Sequence, residues 1–567
     1  MAKFSLNIER EQGVGAGIDF ADPNSPYAKF YLSTGQVLVT ALIAAVFVLL
    51  NSARLWHTDL WGHLRFGESL LDTRAVPRGI ELCSFADPAI GPSSYAWASQ
   101  VVFAVTARFG MWISGPEPLA SLAAGADSLR FLLAVLVSLR LYLLFVAFRR
   151  ASQSDLGAFF GIGLIVGVGW SLAVIRPQVI AELIFAAMLM HLSSPTISLR
   201  SVILLPTLVV IWANAHGSYP IALMTLFLTL FAKLSSHLLG PPPRFFLASI
   251  DPDVRRLSAA LGLSVVGIAV LTPDGIRTFA ATVAMASQPN VRAMDEWQPL
   301  FSPVAGGARF VYGVCTALLI AAALASRGRA RPLFWLGWLA FGLPPVLSQR
   351  AVVWFLMATP WLALPELTRA AREWKPQWRL GMPSLRKTLL AGLIISIAGM
   401  WSIPVQRLTR KTASDPALSL SDATPWREAL AVADPDAGGD SPLARAIRSA
   451  FPGGRFTGTI YPGETLGDFF VWRLPSPTPV FMFSHVHLFT PDHWNLYTGI
   501  RDARPAALPE LDRSRVNLVV VEAELKPRLC QYLRRHPGWT VVTDEAGLAA
   551  KRDPRSRLFV AVRKSPL

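Results

Sequence analysis

Of 567 residues, 52% are hydrophobic and 16% charged, against roughly a quarter charged in an ordinary soluble protein. With a mean hydropathy of +0.42, this excludes a disordered chain, a collagen-like fibre and a plain cytosolic enzyme. Lys and Arg number 53 and Asp and Glu 37, a net charge of +16; in a chain dissolved mostly in lipid that excess marks cytoplasmic loops rather than a nucleic-acid partner.

Residues 1–32 carry acidic and basic side chains and no apolar run next to the initiator, so they read as a cytoplasmic segment and not a cleavable signal peptide. Ser33 to Ala53 is the first run long enough to span a bilayer. The first outer loop, 54–127, opens with WHTDLWGHLRFGE, which holds Trp56, His57, Asp59, Trp61, His63, Arg65 and Glu68. Within it, 96–113 carries Trp97, Gln100, Arg108 and Trp112 and reads as an amphipathic helix lying flat at the interface. Further apolar runs near 128–148, 155–175, 177–193, 201–215, 219–236, 257–272, 308–326, 332–347, 351–366 and 388–405 bring the expected spans to eleven, within a membrane domain of 33–405. With 96–113 flat, Arg149, Arg150, Arg200, Arg244, Arg255, Arg256, Arg327, Arg329, Arg331, Arg369, Arg372, Lys375, Arg379, Arg386 and Lys387 all fall on the inner side. That bias places the N-terminus in the cytoplasm and everything after 405 outside.

Residues 406–445 read as a linker rich in Asp, Ser, Pro and Ala, and 446–567 as a small extracytoplasmic α/β domain. In it VNLVVVE (516–522) is a buried-strand pattern, 525–536 a helix, and 539–542 and 558–562 strands. Cys83, Cys315 and Cys530 lie far apart without metal-ligand spacing and suggest neither a disulfide framework nor a structural zinc site. No internal repeat supports an inverted-repeat transporter.

The alternation puts an unusual set of polar residues on one side of the bilayer. These are the WHTDLWGHLRFGE stretch, Arg176-Pro177-Gln178, Asn214 and His216, Thr272-Pro273-Asp274-Gly275, Asp295-Glu296-Trp297, and Ser348-Gln349-Arg350. Singly, such residues anchor helix ends. Together they suggest an outward polar cavity at the lipid boundary, suited to a lipid-linked substrate. Asp59 is either a helix cap, with Thr58, or a general base beside His57 and His63, the latter one helical turn on. Arg176 and Arg350 suit phosphate recognition or headgroup anchoring. His216 suits a phosphate or sugar, or satisfies Asn214 and a backbone carbonyl. A metal would need clustered ligands; Asp59, His63, Glu68 and Glu296 are the candidates, and convergence is not legible in a sequence.

The pattern resembles the GT-C superfamily of integral membrane glycosyltransferases, which includes protein O-mannosyltransferases and lipid A aminoarabinose transferases. An acidic residue soon after the first span is matched by Asp59. LLDTRAVPRGIELCSF followed by YAWASQVVFAVTARFG resembles the stretch leading to a Trp-containing interfacial helix, and Arg130 to Arg150 resembles the next span. A bacterial subgroup carries patterns similar to RPQ at 176–178, NAHG at 214–217, EW at 296–297, Arg350, and GDFFVWRLPSP at 467–477 in an outer C-terminal domain. The resemblance implies transfer of a sugar from a polyprenyl-phosphate donor to a hydroxyl of a glycan, lipid or protein on the outer face of a bacterial inner membrane. Asp59 would be the base. Arg176 and Arg350 would hold the donor phosphate, and His216, Asn214, His63 and Glu296 would contact substrate. No cofactor is required, a divalent metal stays open, and the chain shows no Gly-rich nucleotide fingerprint. Two departures stand out: Leu60 and Trp61 follow Asp59 where the superfamily often has a second acid, and FSHVHLF (483–489) replaces a D-G-R stretch. A transporter or flippase, or a non-catalytic partner in cell-envelope assembly, is the alternative.

Overall fold

The computed structural model describes residues 28–91, 95–115, 117–169, 174–238, 251–374, 383–410, 419–420, 426–437, 441–451, 456–545 and 558–564. Most of the expected N-terminal segment lies outside these residues, as do Arg244, Lys375 and Arg379.

Every expected apolar run contains a helix; that of 155–175 is described to Gly169, and that of 388–405 breaks after Met400. In chain order, with the helices between them, they are α1 (Thr34–Ser52), α2 (Asp59–Thr73), α3 (Trp97–Ser114), α4 (Pro118–Ser152), α5 (Asp155–Gly169), α6 (Pro177–Leu192), α7 (Ser201–Ala215), α8 (Pro220–Leu238), α9 (Pro252–Leu271), α10 (Arg277–Ser287), α11 (Gly306–Ala325), α12 (Pro332–Leu347), α13 (Val352–Trp374) and α14 (Leu385–Met400). Local chemistry sets their starts. Ser33 and Gln36 form a reciprocal capping box on α1. Glu117 caps α4 ahead of Pro118, so that helix begins ahead of the expected 128 and runs about 50 Å. Among the described residues, five helices, α1, α4, α9, α11 and the α13 region, are long and apolar enough to cross a membrane, and five shorter apolar helices join them. Val270, Leu324, Leu339 and Leu393 point outward and are more than half exposed. Such a surface needs lipid rather than water, and the chain is a polytopic α-helical integral membrane protein.

Three ionisable residues inside the apolar runs find partners. Arg140 on α4 pairs with Glu182 on α6, whose Oε1 also accepts from Gln178 at 3.1 Å. Lys233 meets Asp253 at 2.5 Å.

The expected flat segment is α3. It buries Ser99, Gln100, Phe103, Ala104, Ala107 and Gly110 and leaves Val105, Phe109, Trp112 and Ile113 exposed. Gly67 of α2 permits the close packing: a Cβ there would overlap the Gln100 carbonyl.

The C-terminal part carries a four-stranded sheet in the order β1 (Thr459–Pro462), β2 (Val516–Glu522), β4 (Leu558–Arg563), β3 (Trp539–Val541). β1 and β2 are parallel, and β4 runs antiparallel to both neighbours. The strand expected from VNLVVVE is β2, buried at all seven positions. Among the described residues of 406–445, Arg407 bonds Asp127 at 2.6 Å, and α15 (Trp426–Ala433) buries Trp426 and Leu430. This sheet region is fastened to the first loop. Thr478 N–H donates to Leu82 O at 2.9 Å and Asp87 N–H to Leu488 O at 2.8 Å. A helix, α16 (Gly467–Arg473), lies on α2, where Trp61 stacks on Trp472 with centroids 4.8 Å apart.

Candidate active site

The helix that follows the first apolar run starts at Asp59. Thr58 occupies the N-cap position but makes no side-chain cap bond, and the Asp59 carboxylate reaches another chain segment instead. Its Oδ2 accepts from Arg176 Nη2 at 2.5 Å. Arg176 Nη1 donates to Glu296 Oε2 at 2.7 Å, and Arg350 Nη1 donates to Glu296 Oε1 at 2.7 Å. Two carboxylates and two guanidiniums thus alternate in one chain, drawn from four separate segments at the ends of apolar helices. The Arg350 guanidinium also lies over the Trp297 ring, 5.2 Å from its centroid.

Six of the seven residues singled out in the sequence line one small cavity of about 70 Å³: Asp59, His63, Arg176, His216, Glu296 and Arg350. Asn214 does not. Its Oδ1 accepts from Trp97 Nε1 at 2.7 Å and its Nδ2 donates to the carbonyls of Val210 and Leu271, so its amide ties α7 to α3 and α9. Sequence order put Asn214 beside His216, and the helix turns it away.

His216 has its tautomer set by neighbours. Nδ1 accepts from the Ser218 backbone N–H at 3.1 Å, which leaves the ring proton on Nε2. Burial first, and then Arg350 and Arg176, lower its pKa to about 3. The ring is therefore a neutral hydrogen-bond donor at physiological pH. His63 Nδ1 accepts from Gln100 Nε2 at 3.2 Å. Burial and then His485 hold His63 well below the usual histidine range. His57 stands 3.7 Å from Asp59 Oδ1 and is lowered by burial to about 4. Burial pushes the Asp59 carboxyl up, but Arg176, with His57 and His63, outweighs it and holds the group well below the ordinary carboxylate range. Glu296 is likewise pushed up by burial and brought below its ordinary value by Arg350 and Arg176.

The sequence did not identify the contribution of the C-terminal part. Ser484, His485 and His487 line the same small cavity. Their loop is held by Asn290, whose Nδ2 donates to Phe489 O at 2.8 Å and Val486 O at 3.1 Å. Behind them Asp468 is fully buried; its Oδ2 accepts from Ser484 N–H at 2.9 Å and its Oδ1 from Ser484 Oγ at 2.8 Å. Burial, and to a lesser degree Asp59, push its pKa up. FSHVHLF is therefore a wall of the site. Two signals were available: two histidines inside an apolar run, and a glycine at position 62 in the first turn of a helix.

That glycine is required. A Cβ at Gly62 would overlap Asp468 Oδ1 and stand 3.0 Å from His485 Cε1. Gly to Ala inside a helix normally stabilises by about 1 kcal/mol. Here the sign is expected to reverse. Gly62→Ala should loosen the C-terminal part from α2, seen as faster proteolysis or amide exchange over 467–489, and unchanged exchange there would contradict the packing.

Next to the small cavity lies a larger one of about 620 Å³. Ile221, Ala281, Met285, Leu347 and Trp354 make it largely apolar, and Tyr95, Gln178, His216, Met285, Trp297, Arg350 and His487 are shared by the two. Of the candidate metal ligands, Glu68 bonds Trp472 Nε1 at 3.2 Å, and Arg176 stands between Asp59 and Glu296. Among the described residues no group of three or more His, Cys, Asp or Glu side chains is arranged to hold a metal ion.

No protein-family model matches the chain, and no curated protein matches it. Solved structures do. The archaeal oligosaccharyltransferase AglB from Archaeoglobus fulgidus, in complex with an inhibitory peptide and a dolichol-phosphate, is 14% identical over 88% of this chain and 70% of that one, with a TM-score of 0.52. The apo form of the Archaeoglobus fulgidus oligosaccharyltransferase is 14% identical over 86% of this chain and 69% of that one, with a TM-score of 0.49. At this identity the likeness is one of architecture: this chain shares the fold of that archaeal oligosaccharyltransferase.

Proposed function

We propose that the protein is a membrane glycosyltransferase that moves a sugar from a polyprenyl-phosphate donor to an acceptor hydroxyl on the outer face of a bacterial inner membrane. The observation that carries this reading is the junction of the two cavities. An apolar space of about 620 Å³ accommodates part of a hydrocarbon chain. At its polar end stand Arg350 and the His216 Nε2–H, with Arg176 beyond them, a donor set suited to a phosphate. A sugar attached to that phosphate then reaches the small cavity lined by Asp59. The dolichol-phosphate held by the similar archaeal structure is a lipid phosphate of the same class, which supports the assignment.

In this reading Asp59 is the catalytic carboxylate: it receives the acceptor hydroxyl, aligns it and polarises it toward the anomeric carbon. Arg350 anchors the donor phosphate, and Arg176, beside Asp59, stabilises the charge that gathers on it as the glycosidic bond breaks. The phosphate shares the guanidiniums with Glu296.

The test is transfer of label from radiolabelled polyprenyl-phosphate sugars by purified protein in nanodiscs, with membranes supplying acceptors. Absence of both transfer and donor hydrolysis across a panel of such sugars would sink the proposal. Arg350→Ala removes a charge-assisted contact worth about 1.5–3 kcal/mol. It should raise the donor KM by about ten- to a hundredfold and change kcat far less; an unaltered KM would show that Arg350 only anchors the helix end.

A further inference from the structure

The C-terminal loop brings a second set of hydrogen-bonding groups to the small cavity. His485 is 4% exposed. Its ring is stacked on Phe66, with centroids 4.7 Å apart and planes at 14°, and meets the His63 ring edge-on at 4.9 Å. Its orientation is therefore fixed on two sides. Its tautomer follows from its neighbours. Ser484 Oγ donates to Asp468 Oδ1 at 2.8 Å, which uses its single proton. The Ser484 oxygen is then the acceptor for His485 Nδ1–H, 3.4 Å away, while Asp468 Oδ1 itself stands 3.8 Å from Nδ1. That leaves the imidazole lone pair on Nε2, and His485 Nε2 is buried with no hydrogen-bond partner among the described residues, in a ring that lines the cavity. An unpartnered lone pair on an imidazole of the cavity wall, its ring held by packing, is the arrangement a general base needs. The bare backbone of Gly62 lets the pair approach the Asp59 helix this closely.

Resting on the transferase reading above, we propose that His485 Nε2 takes the proton of the acceptor hydroxyl, with Ser484 and Asp468 as positioning residues behind it and Asp59 aligning the hydroxyl. The acceptor oxygen forms its bond to the anomeric carbon. The bond from that carbon to the phosphate oxygen breaks, and its electron pair stays on the polyprenyl phosphate. The hydroxyl proton goes to Nε2. The resulting imidazolium faces Asp468 through the Ser484 hydroxyl, and its proton passes to water after the product leaves.

The experiment uses the full chain in nanodiscs with a radiolabelled polyprenyl-phosphate sugar that the wild type transfers. It measures donor binding, the single-turnover transfer rate and its pH dependence. The titratable and charged groups facing His485 are Asp59 and His63 on α2, Asp468 on α16, His487 on its own loop, and Arg176 across the cavity; all of them remain in His485→Gln. That variant is expected to bind donor as before, to transfer about a hundredfold or more slowly, and to lose the acidic limb of the wild-type pH profile. Added imidazole should restore part of the rate in His485→Gly. Asp468→Asn should slow transfer about tenfold and displace the limb. Wild-type transfer by His485→Gln, or an acidic limb that survives in it, would overturn the proposal. So would loss of donor binding in both His485 variants, because the ring would then be packing alone. A wild type that transfers no sugar would sink the transferase reading itself, a result distinct from an active His485→Gln.

Discussion

Asp59→Asn is expected to slow sugar transfer by about 10² to 10³, roughly 3 to 4 kcal/mol of barrier. The variant keeps size and hydrogen-bonding capacity and removes the charge. A helix-cap role predicts silence, because Asn caps as well as Asp. The structure has Thr58 at the cap position without a side-chain bond, and it commits the carboxylate to Arg176 at 2.5 Å. Donor affinity should hold or tighten, since the phosphate no longer competes with Asp59 for the Arg176 guanidinium. That split, a lower kcat with donor binding intact, separates an aligning carboxylate from a structural ion pair, whose loss would weaken both. The pH dependence has a definite sign. Arg176 holds Asp59 well below the ordinary carboxylate range, so its negative charge persists on acidification past the point where an unpaired carboxyl would be protonated. A fall in wild-type rate within the histidine range thus belongs to another group. A wild-type kcat in Asp59→Asn would remove Asp59 from the mechanism.

The membrane part was legible because its signals are local. Each apolar run has the length and composition of a helix, and each became one. The site residues at helix ends could be gathered without distances, because alternation along the chain sorts loops by side. Asp59, Arg176, Glu296 and Arg350 come from four separate segments and meet in one chain of ion pairs. Asn214 misled because adjacency to His216 says nothing of direction: one residue separates a helical side chain bonded to Trp97 from one in extended backbone lining the cavity. The C-terminal contribution was hidden for a different reason. Asp468 and His485 reach the site through packing against Gly62, a contact across most of the chain, and no pattern of period 2 or 3.6 carries such a contact. Read alone, FSHVHLF looked like a departure. Its histidines have meaning only beside Asp468, Ser484 and His63.

Glu182→Ala is expected to destabilise the membrane part by about 3–5 kcal/mol, seen as a lower inactivation temperature in nanodiscs. Arg140 and Glu182 are 5% and 2% exposed, so removal of either partner strands a charge away from water. The paired replacement decides more. Arg140→Leu with Glu182→Leu removes both charges and should recover most of that loss, since well-packed apolar residues often equal or exceed a buried ion pair. Transfer should then survive, with a modest rise in donor KM, because Gln178 lines both cavities and loses its bond to Glu182 Oε1. A conduit for ions or a charged lipid predicts the reverse. Ionisable groups within the spans would be its working parts, and the doubly apolar variant would be stable and inactive. A stable double variant that still transfers sugar leaves the polar chemistry at the helix ends, where Arg350 and His216 join a lipid-sized apolar cavity to the carboxylate of Asp59.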